Sequence, residues 1–177
     1  MIHFIKTQLI FVFQKMKYGQ ILSSAKLWAK IPRLFSAMTD LYQAINHRRS
    51  NISPLLRRLV IIRVSQLNNC AFCIDLNTAI ILQDAISIEK ISLLRDYASS
   101  SHYSPEEKLA LTFTDQLTKN QPIDETLRNS LKNHFSEEAI IELAAVIAFQ
   151  NMSTKFNNAF DLPAQGFCKL DNIKSKD

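Results

Sequence analysis

Glycine is almost missing from this chain: two residues in 177, beside five prolines and a single tryptophan. Sheet-rich folds of this length spend glycine on tight turns, so its scarcity argues against them. Cysteine is also scarce, with Cys70, Cys73 and Cys168 at uneven spacing. An odd, irregular set excludes a disulfide framework. A lone C-x-x-C in a mid-sized chain points instead to cytosolic redox or metal chemistry. Long apolar runs are absent. The stretch Ile2 to Phe13 is interrupted by Lys6 and followed by Lys15 and Lys17, and a bilayer span needs about 20 apolar residues. Without a clear cleavage site it is read as an N-terminal helix packing on the core or on a second subunit, not as a signal peptide.

Charge of one sign does not dominate either. The net charge is +5, but basic residues are scattered among acidic ones. The densest group is His47, Arg48 and Arg49, with Arg57 and Arg58 nearby. No aromatic–basic run offers a stacking platform for bases. The expectation is a solvated surface, with no nucleic-acid partner and no membrane partner. No repeat, linker or low-complexity segment divides the chain. One domain is expected over 1–177, with an N-terminal helical segment at 1–16, a core at 32–165 and a polar tail at 166–177.

What is present is helical punctuation. Pro32 to Ile45 carries Leu34, Phe35, Met38, Leu41, Tyr42 and Ile45 at helical spacing. Ser53-Pro54 pairs an N-cap with proline at the first helical position. The helix after it repeats Leu56, Leu59, Val60, Val64 and Leu67. Asn68 and Asn69 break it and can cap the next, which starts near Cys70 and runs to Asp84. Ser87 is a candidate cap for a short helix through Leu94. Ser104-Pro105-Glu106-Glu107 matches a capping box. That helix ends before Pro122. Asp124 opens another, and Ser136 opens a long one containing Ile140, Ile141, Ala144, Ala145, Ile147 and Ala148. No alternating strand appears, so the fold class is all-α, with seven or eight helices.

The chemistry concentrates in Asn69-Cys70-Ala71-Phe72-Cys73-Ile74-Asp75-Leu76-Asn77. Two cysteines three residues apart share a helix face and come within disulfide reach. A cysteine at a helix N-terminus has its thiolate stabilised by free amides and the macrodipole, and the thiolate is the species that attacks peroxides and disulfides. Inert packing of two buried cysteines is the plain alternative. A zinc site needs four ligands, and Cys168, His102 and His134 lie far off in sequence with no paired spacing. No metal and no cofactor are expected. Asn151, Lys155, Asn157 and Asn158 add polarity at the end of the long helix, which either solvates a helix end or lines a pocket or interface.

The run from Arg57 to Cys73, L-V-I-I-R-V-S-Q-L-N-N-C-A-F-C at its centre, resembles the core of the carboxymuconolactone decarboxylase/alkylhydroperoxidase-D family. Ser104 to Thr118, His134-Phe135-Ser136-Glu137, Glu142-Leu143 and Ile147 to Asn151 are similar to the family as well. The resemblance implies a helical fold, commonly oligomeric, and for its peroxidase-type members a cysteine pair with a glutamate and a histidine as proton relay. The cysteines correspond to Cys70 and Cys73. Asn77 stands where the histidine belongs, and Arg58 where the glutamate belongs. An amide cannot accept a proton near neutral pH, and arginine stays protonated. Arg58 can still stabilise a thiolate by charge. The implied function is a thiol-dependent antioxidant oxidoreductase of alkylhydroperoxidase, peroxiredoxin or disulfide-reductase type, cytoplasmic, with weakened or altered activity. Its partners would be a hydroperoxide or small disulfide, an external reductant and further copies of itself. The alternatives are a non-catalytic binding or assembly protein on the same scaffold, and a lactone decarboxylase, against which the retained cysteine pair argues.

Overall fold

A computed structural model describes residues 2–83 and 88–168. Among them are nine α-helices and no strand. The predicted helix end at Asp84, the Ser87 cap and the tail beyond 168 lie outside the described residues. The chain falls into two compact units, 1–48 and 49–177.

The first unit holds α1 (Ile2–Tyr18), α2 (Ser23–Trp28) and α3 (Pro32–Ile45). The short α2 carries no cap or periodic signal in the sequence and was not expected. α1 packs on α3 through tilted rings of Phe11 and Phe35, 6.1 Å apart, and through Lys6, which pairs with Asp40 and donates to Ser36 Oγ at 3.0 Å. Amphipathicity in α1 is inverted. Its buried side chains include Thr7 and Gln14, while Phe4, Ile5, Leu9, Val12, Phe13 and Met16 form an exposed apolar stripe. His47, Arg48 and Arg49 follow the α3 C-cap, Asn46.

The second unit is built around α4 (Pro54–Leu67), which packs against α5 (Ala71–Gln83), α7 (Pro105–Thr118) and α9 (Glu137–Asn158). Between them run α6 (Ile88–Ser92), a 3-10 turn and α8 (Glu125–His134). The sequence periodicity of α4 marks one apolar face, but the helix is buried all round: Leu56 and Arg57, then every residue from Leu59 to Ser65. Such a helix sits at the centre of its unit. Its two buried arginines differ in their partners. Arg57 Nη2 donates to the Ile52 carbonyl at 3.4 Å. Arg63 makes a bidentate pair with Asp115 on α7, both bonds 2.6 Å, and lies over the Tyr97 ring. The bond to Asp115 raises the Arg63 pKa further, so the guanidinium is a permanent cation needing a permanent anion.

The caps predicted at Ser53 and Ser104 form, and Asp124 and Ser136 cap the helices they open. Ser53 Oγ accepts from Leu56 N–H at 3.1 Å, Asp124 from Leu127 at 2.7 Å and Ser136 from Ala139 at 3.2 Å. Ser104 and Glu107 exchange both bonds of a capping box. Glu107 also holds Lys90 at 2.6 Å, which ties α6 to the start of α7. Glu142 on α9 takes hydrogen bonds from Ser50 and Asn51, just ahead of α4. Burial opposes its charge, but these bonds outweigh burial and hold its carboxyl below the usual range.

The glycine deficit reappears at the helix ends. Asn69, Asn120 and Asp161 occupy left-handed backbone, with φ of 52°, 55° and 47°, where glycine is the usual choice. After α4 the pattern is a Schellman motif. Cys70 N–H donates to the Ser65 carbonyl at 3.0 Å and Asn69 N–H to that of Gln66 at 3.3 Å. Asn tolerates this region better than most residues, so the chain turns sharply without glycine and enters α5 at once.

Candidate functional site

That turn decides where the cysteines lie. Cys70, not Asn68 or Asn69, occupies the N-cap position of α5. Its carbonyl accepts the Ile74 N–H at 3.0 Å, and its sulfur accepts the Cys73 N–H at 3.3 Å. Cys73 is the third residue of the helix. Both cysteines therefore lie in the first turn, where amide N–H groups have no helical partner and the positive end of the dipole favours an anion. Their Cα atoms are 5.3 Å apart and their sulfurs are joined, within the usual disulfide span. Both side chains are buried, Cys70 at 1 % and Cys73 at 2 % exposure.

Across from them stands α9. Its buried seam is apolar at Leu143, Val146 and Ile147, then turns polar at Gln150, Thr154 and Asn157. Each polar residue meets the α4–α5 junction. Gln150 Nε2 donates to Ser65 Oγ at 2.9 Å, Asn68 Nδ2 to Thr154 Oγ1 at 3.0 Å, and Asn157 Nδ2 to Cys73 Sγ at 3.2 Å. Outside the seam, Asn151 Oδ1 accepts from Asn68 at 2.8 Å and Asn158 Nδ2 donates to the Asn68 carbonyl at 2.7 Å. The polarity at the end of the long helix is thus turned toward the cysteine turn at Asn151, Asn157 and Asn158, while Lys155 is exposed. Gln150 and Thr154 were not singled out as site residues from sequence. Their signal was available: polar residues at four- and three-residue spacing continue an apolar seam.

The other predicted positions are placed as follows. Asn77 turns back along α5, donating to the Cys73 carbonyl at 2.9 Å. Arg58 is half-buried on α4, its Nη1 without a hydrogen-bond partner. Among the described residues no hydrogen bond links Arg58 or Asn77 to either sulfur. Asp75 points away from the pair, as the helix geometry requires. Its carboxylate accepts backbone N–H groups of Gln165 at 2.8 Å, Phe167 at 3.1 Å and Cys168 at 2.7 Å, which fastens the segment after α9 to α5. Cys168 is outside any disulfide. Burial, then the nearby Asp75 carboxylate, pushes its thiol pKa up, so it is a poor nucleophile. His134 is exposed, with Nδ1 2.9 Å from the Ser130 carbonyl, and His102 lies 3.8 Å from Glu89. Among the described residues no cluster of three metal-ligating side chains occurs.

The carboxymuconolactone decarboxylase family pattern matches residues 32–116. YnjA of Escherichia coli is 35% identical over 159 residues, covering 89% of this chain and 87% of the relative. The chain belongs to the carboxymuconolactone decarboxylase family. Among solved structures, a peroxidase-related protein from Silicibacter sp. TM1040 superposes with TM-score 0.82 at 24% identity, over 92% of this chain and 86% of its own. A cysteine-to-alanine variant of the debrominase Bmp8 in complex with 2,3,4-tribromopyrrole gives TM-score 0.82 at 22% identity, over 95% and 91%. At such identities the likeness establishes the fold, which is that of alkylhydroperoxidase-D-like helical proteins. The family match contains α4, α5 and the cysteine pair, whereas the polar seam of α9 lies beyond it. Among the described residues no helix is long and apolar enough to cross a membrane.

Proposed function

We propose that this family member is a thiol-dependent oxidoreductase in which Cys70 and Cys73 cycle between dithiol and disulfide. The observation that carries the reading is the placement of both sulfurs in the first turn of α5, with Cys70 as its N-cap. One thiolate attacks the terminal oxygen of a hydroperoxide, the O–O bond breaks, and an alkoxide leaves to be protonated from solvent. The resulting sulfenic acid is then attacked by the second sulfur, releasing water and forming the disulfide. Two equivalents of an external thiol restore the dithiol. Because the protein must be re-reduced, a reducing compartment, the cytoplasm, suits it.

Asn77 and Arg58 supply no proton acceptor, so turnover should fall short of a relay-equipped enzyme by about 10²–10⁴, the usual worth of acid–base help. The test is made on fully reduced protein with one equivalent of an organic hydroperoxide. Free thiols should fall by two per chain, with peptide mapping placing the new bond between Cys70 and Cys73 and leaving Cys168 free. 2,3,4-Tribromopyrrole is run beside it, since a structural neighbour is a debrominase. Unchanged thiol counts with both electrophiles would favour the second reading, a non-catalytic binding or assembly protein. The observation behind that reading is the near-complete burial of both sulfurs.

A second copy of the chain covers the outer face of α1 in this proposal. An exposed stripe of six large apolar residues is an unusual surface for a monomer and a common one at interfaces. Replacing Leu9 and Phe13 by lysine should lower the molar mass measured by light scattering to that of one chain. An oligomer of unchanged mass rules this face out.

A further inference from the structure

Asn157 takes no part in the steps above, yet its side chain reaches a cysteine sulfur from outside α5. It is 2 % exposed. Its Nδ2 lies 3.2 Å from Cys73 Sγ, and its Oδ1 is buried with no hydrogen-bond partner. We propose that Asn157 sets the acidity of Cys73 and, through it, the reduction potential of the Cys70–Cys73 pair. This rests on the thiol-redox reading of the site and deepens it.

An N–H aimed at a sulfur binds a thiolate more strongly than a thiol or a disulfide, because hydrogen bonds to an ionised acceptor are about twice as strong. Burial amplifies the difference, since little water competes. The amide donor therefore stabilises the reduced pair over the oxidised one, which makes the disulfide a stronger oxidant.

Several charges on the neighbouring helices are committed elsewhere. Arg63 is paired with Asp115, Asp75 holds the backbone of the following segment, and Glu142 takes Ser50 and Asn51. Arg58 is a half-buried cation on α4, and the test separates its effect from that of Asn157. With relay positions filled by Asn77 and Arg58, the site lacks a general base for Cys73. A buried amide donor gives a thiolate without one, by lowering the pKa instead of removing the proton catalytically.

Two near-isosteric variants test this. Asn157→Leu removes both hydrogen-bonding ends, and Asn157→Asp places a carboxylate against the sulfur. Reduced wild-type and variant proteins are alkylated with iodoacetamide across pH 5 to 10, with modification at Cys73 resolved by mass spectrometry, and the disulfide is equilibrated against glutathione buffers. Loss of the donor should slow Cys73 alkylation at pH 7 by about tenfold, and the aspartate should slow it further. The dithiol–disulfide equilibrium should move about tenfold toward the disulfide, equivalent to about 30 mV. Thermal unfolding and circular dichroism confirm folding; if the leucine variant does not fold, the aspartate variant, with the shape of the native residue, carries the test alone. A purely structural Asn157 would change the melting temperature while leaving the alkylation profile and the potential in place, and that result overturns the proposal. A shift produced by Arg58→Gln but by neither Asn157 variant overturns it too. If the profiles separate as expected but the wild-type protein ignores hydroperoxide, Asn157 keeps its role and the peroxidase reading falls.

Discussion

Serine at either Cys70 or Cys73 is expected to end catalytic turnover of hydroperoxide, by roughly 10⁴-fold or more, the scale on which loss of a nucleophile acts. The two variants should then diverge. The one that keeps the attacking sulfur should consume one equivalent and stop at a sulfenic acid, which dimedone traps as a stable adduct. The other should leave hydroperoxide untouched. Cys70 has the N-cap position and an amide at 3.3 Å, while Cys73 has the Asn157 amide at 3.2 Å, so this divergence assigns the roles directly. Wild-type turnover in either variant would remove the pair from the chemistry altogether. Serine at Cys168, whose thiol pKa is raised, serves as the comparison and is expected to leave turnover unchanged.

The second large effect concerns stability. Asp115→Ala should destabilise the fold by roughly 3–5 kcal/mol, because it strands the buried Arg63 guanidinium without its anion. For a chain of this size that corresponds to a fall in melting temperature of roughly 6–20 °C. Arg63 is nearly buried, with its side chain 11% exposed and that of Asp115 15%, so solvent cannot take over the lost partner. Replacing both residues together, Arg63→Met with Asp115→Leu, should recover most of the loss, since a packed apolar pair needs no compensation. Thermal unfolding of the three proteins checks both statements. A single variant within about 2 °C of wild type would show that Arg63 finds another anion.

The family's cysteine motif and its neighbours are local features, and they were legible. Caps at Ser53, Ser104, Asp124 and Ser136 depend on a side chain and a backbone amide three residues on. The placement of Cys70 is almost as local. It misled only in detail, because Asn69 serves as the left-handed closure of α4 and leaves the cap of α5 to the cysteine itself. The stripe of α4 was harder. Periodicity shows which residues are apolar, but a helix wrapped by three others buries its polar side chains too, and Arg57, Arg63 and Ser65 gave no sign of this. Likewise the apolar N-terminal segment was visible as a helix, while nothing in its composition told that the apolar side would face outward and Thr7 and Gln14 inward.

By itself, then, the amino-acid sequence determined the all-α class, the helix starts at Ser53, Ser104, Asp124 and Ser136 and the placing of two cysteines on one turn, because each follows from interactions spanning three to five residues. The tertiary structure alone decided what surrounds that turn. Asn157 meets Cys73 across 84 positions of chain, Gln150 meets Ser65 across 85 and Arg63 meets Asp115 across 52. Contacts of that separation are set by how α4, α7 and α9 pack against one another, and no local spacing encodes them.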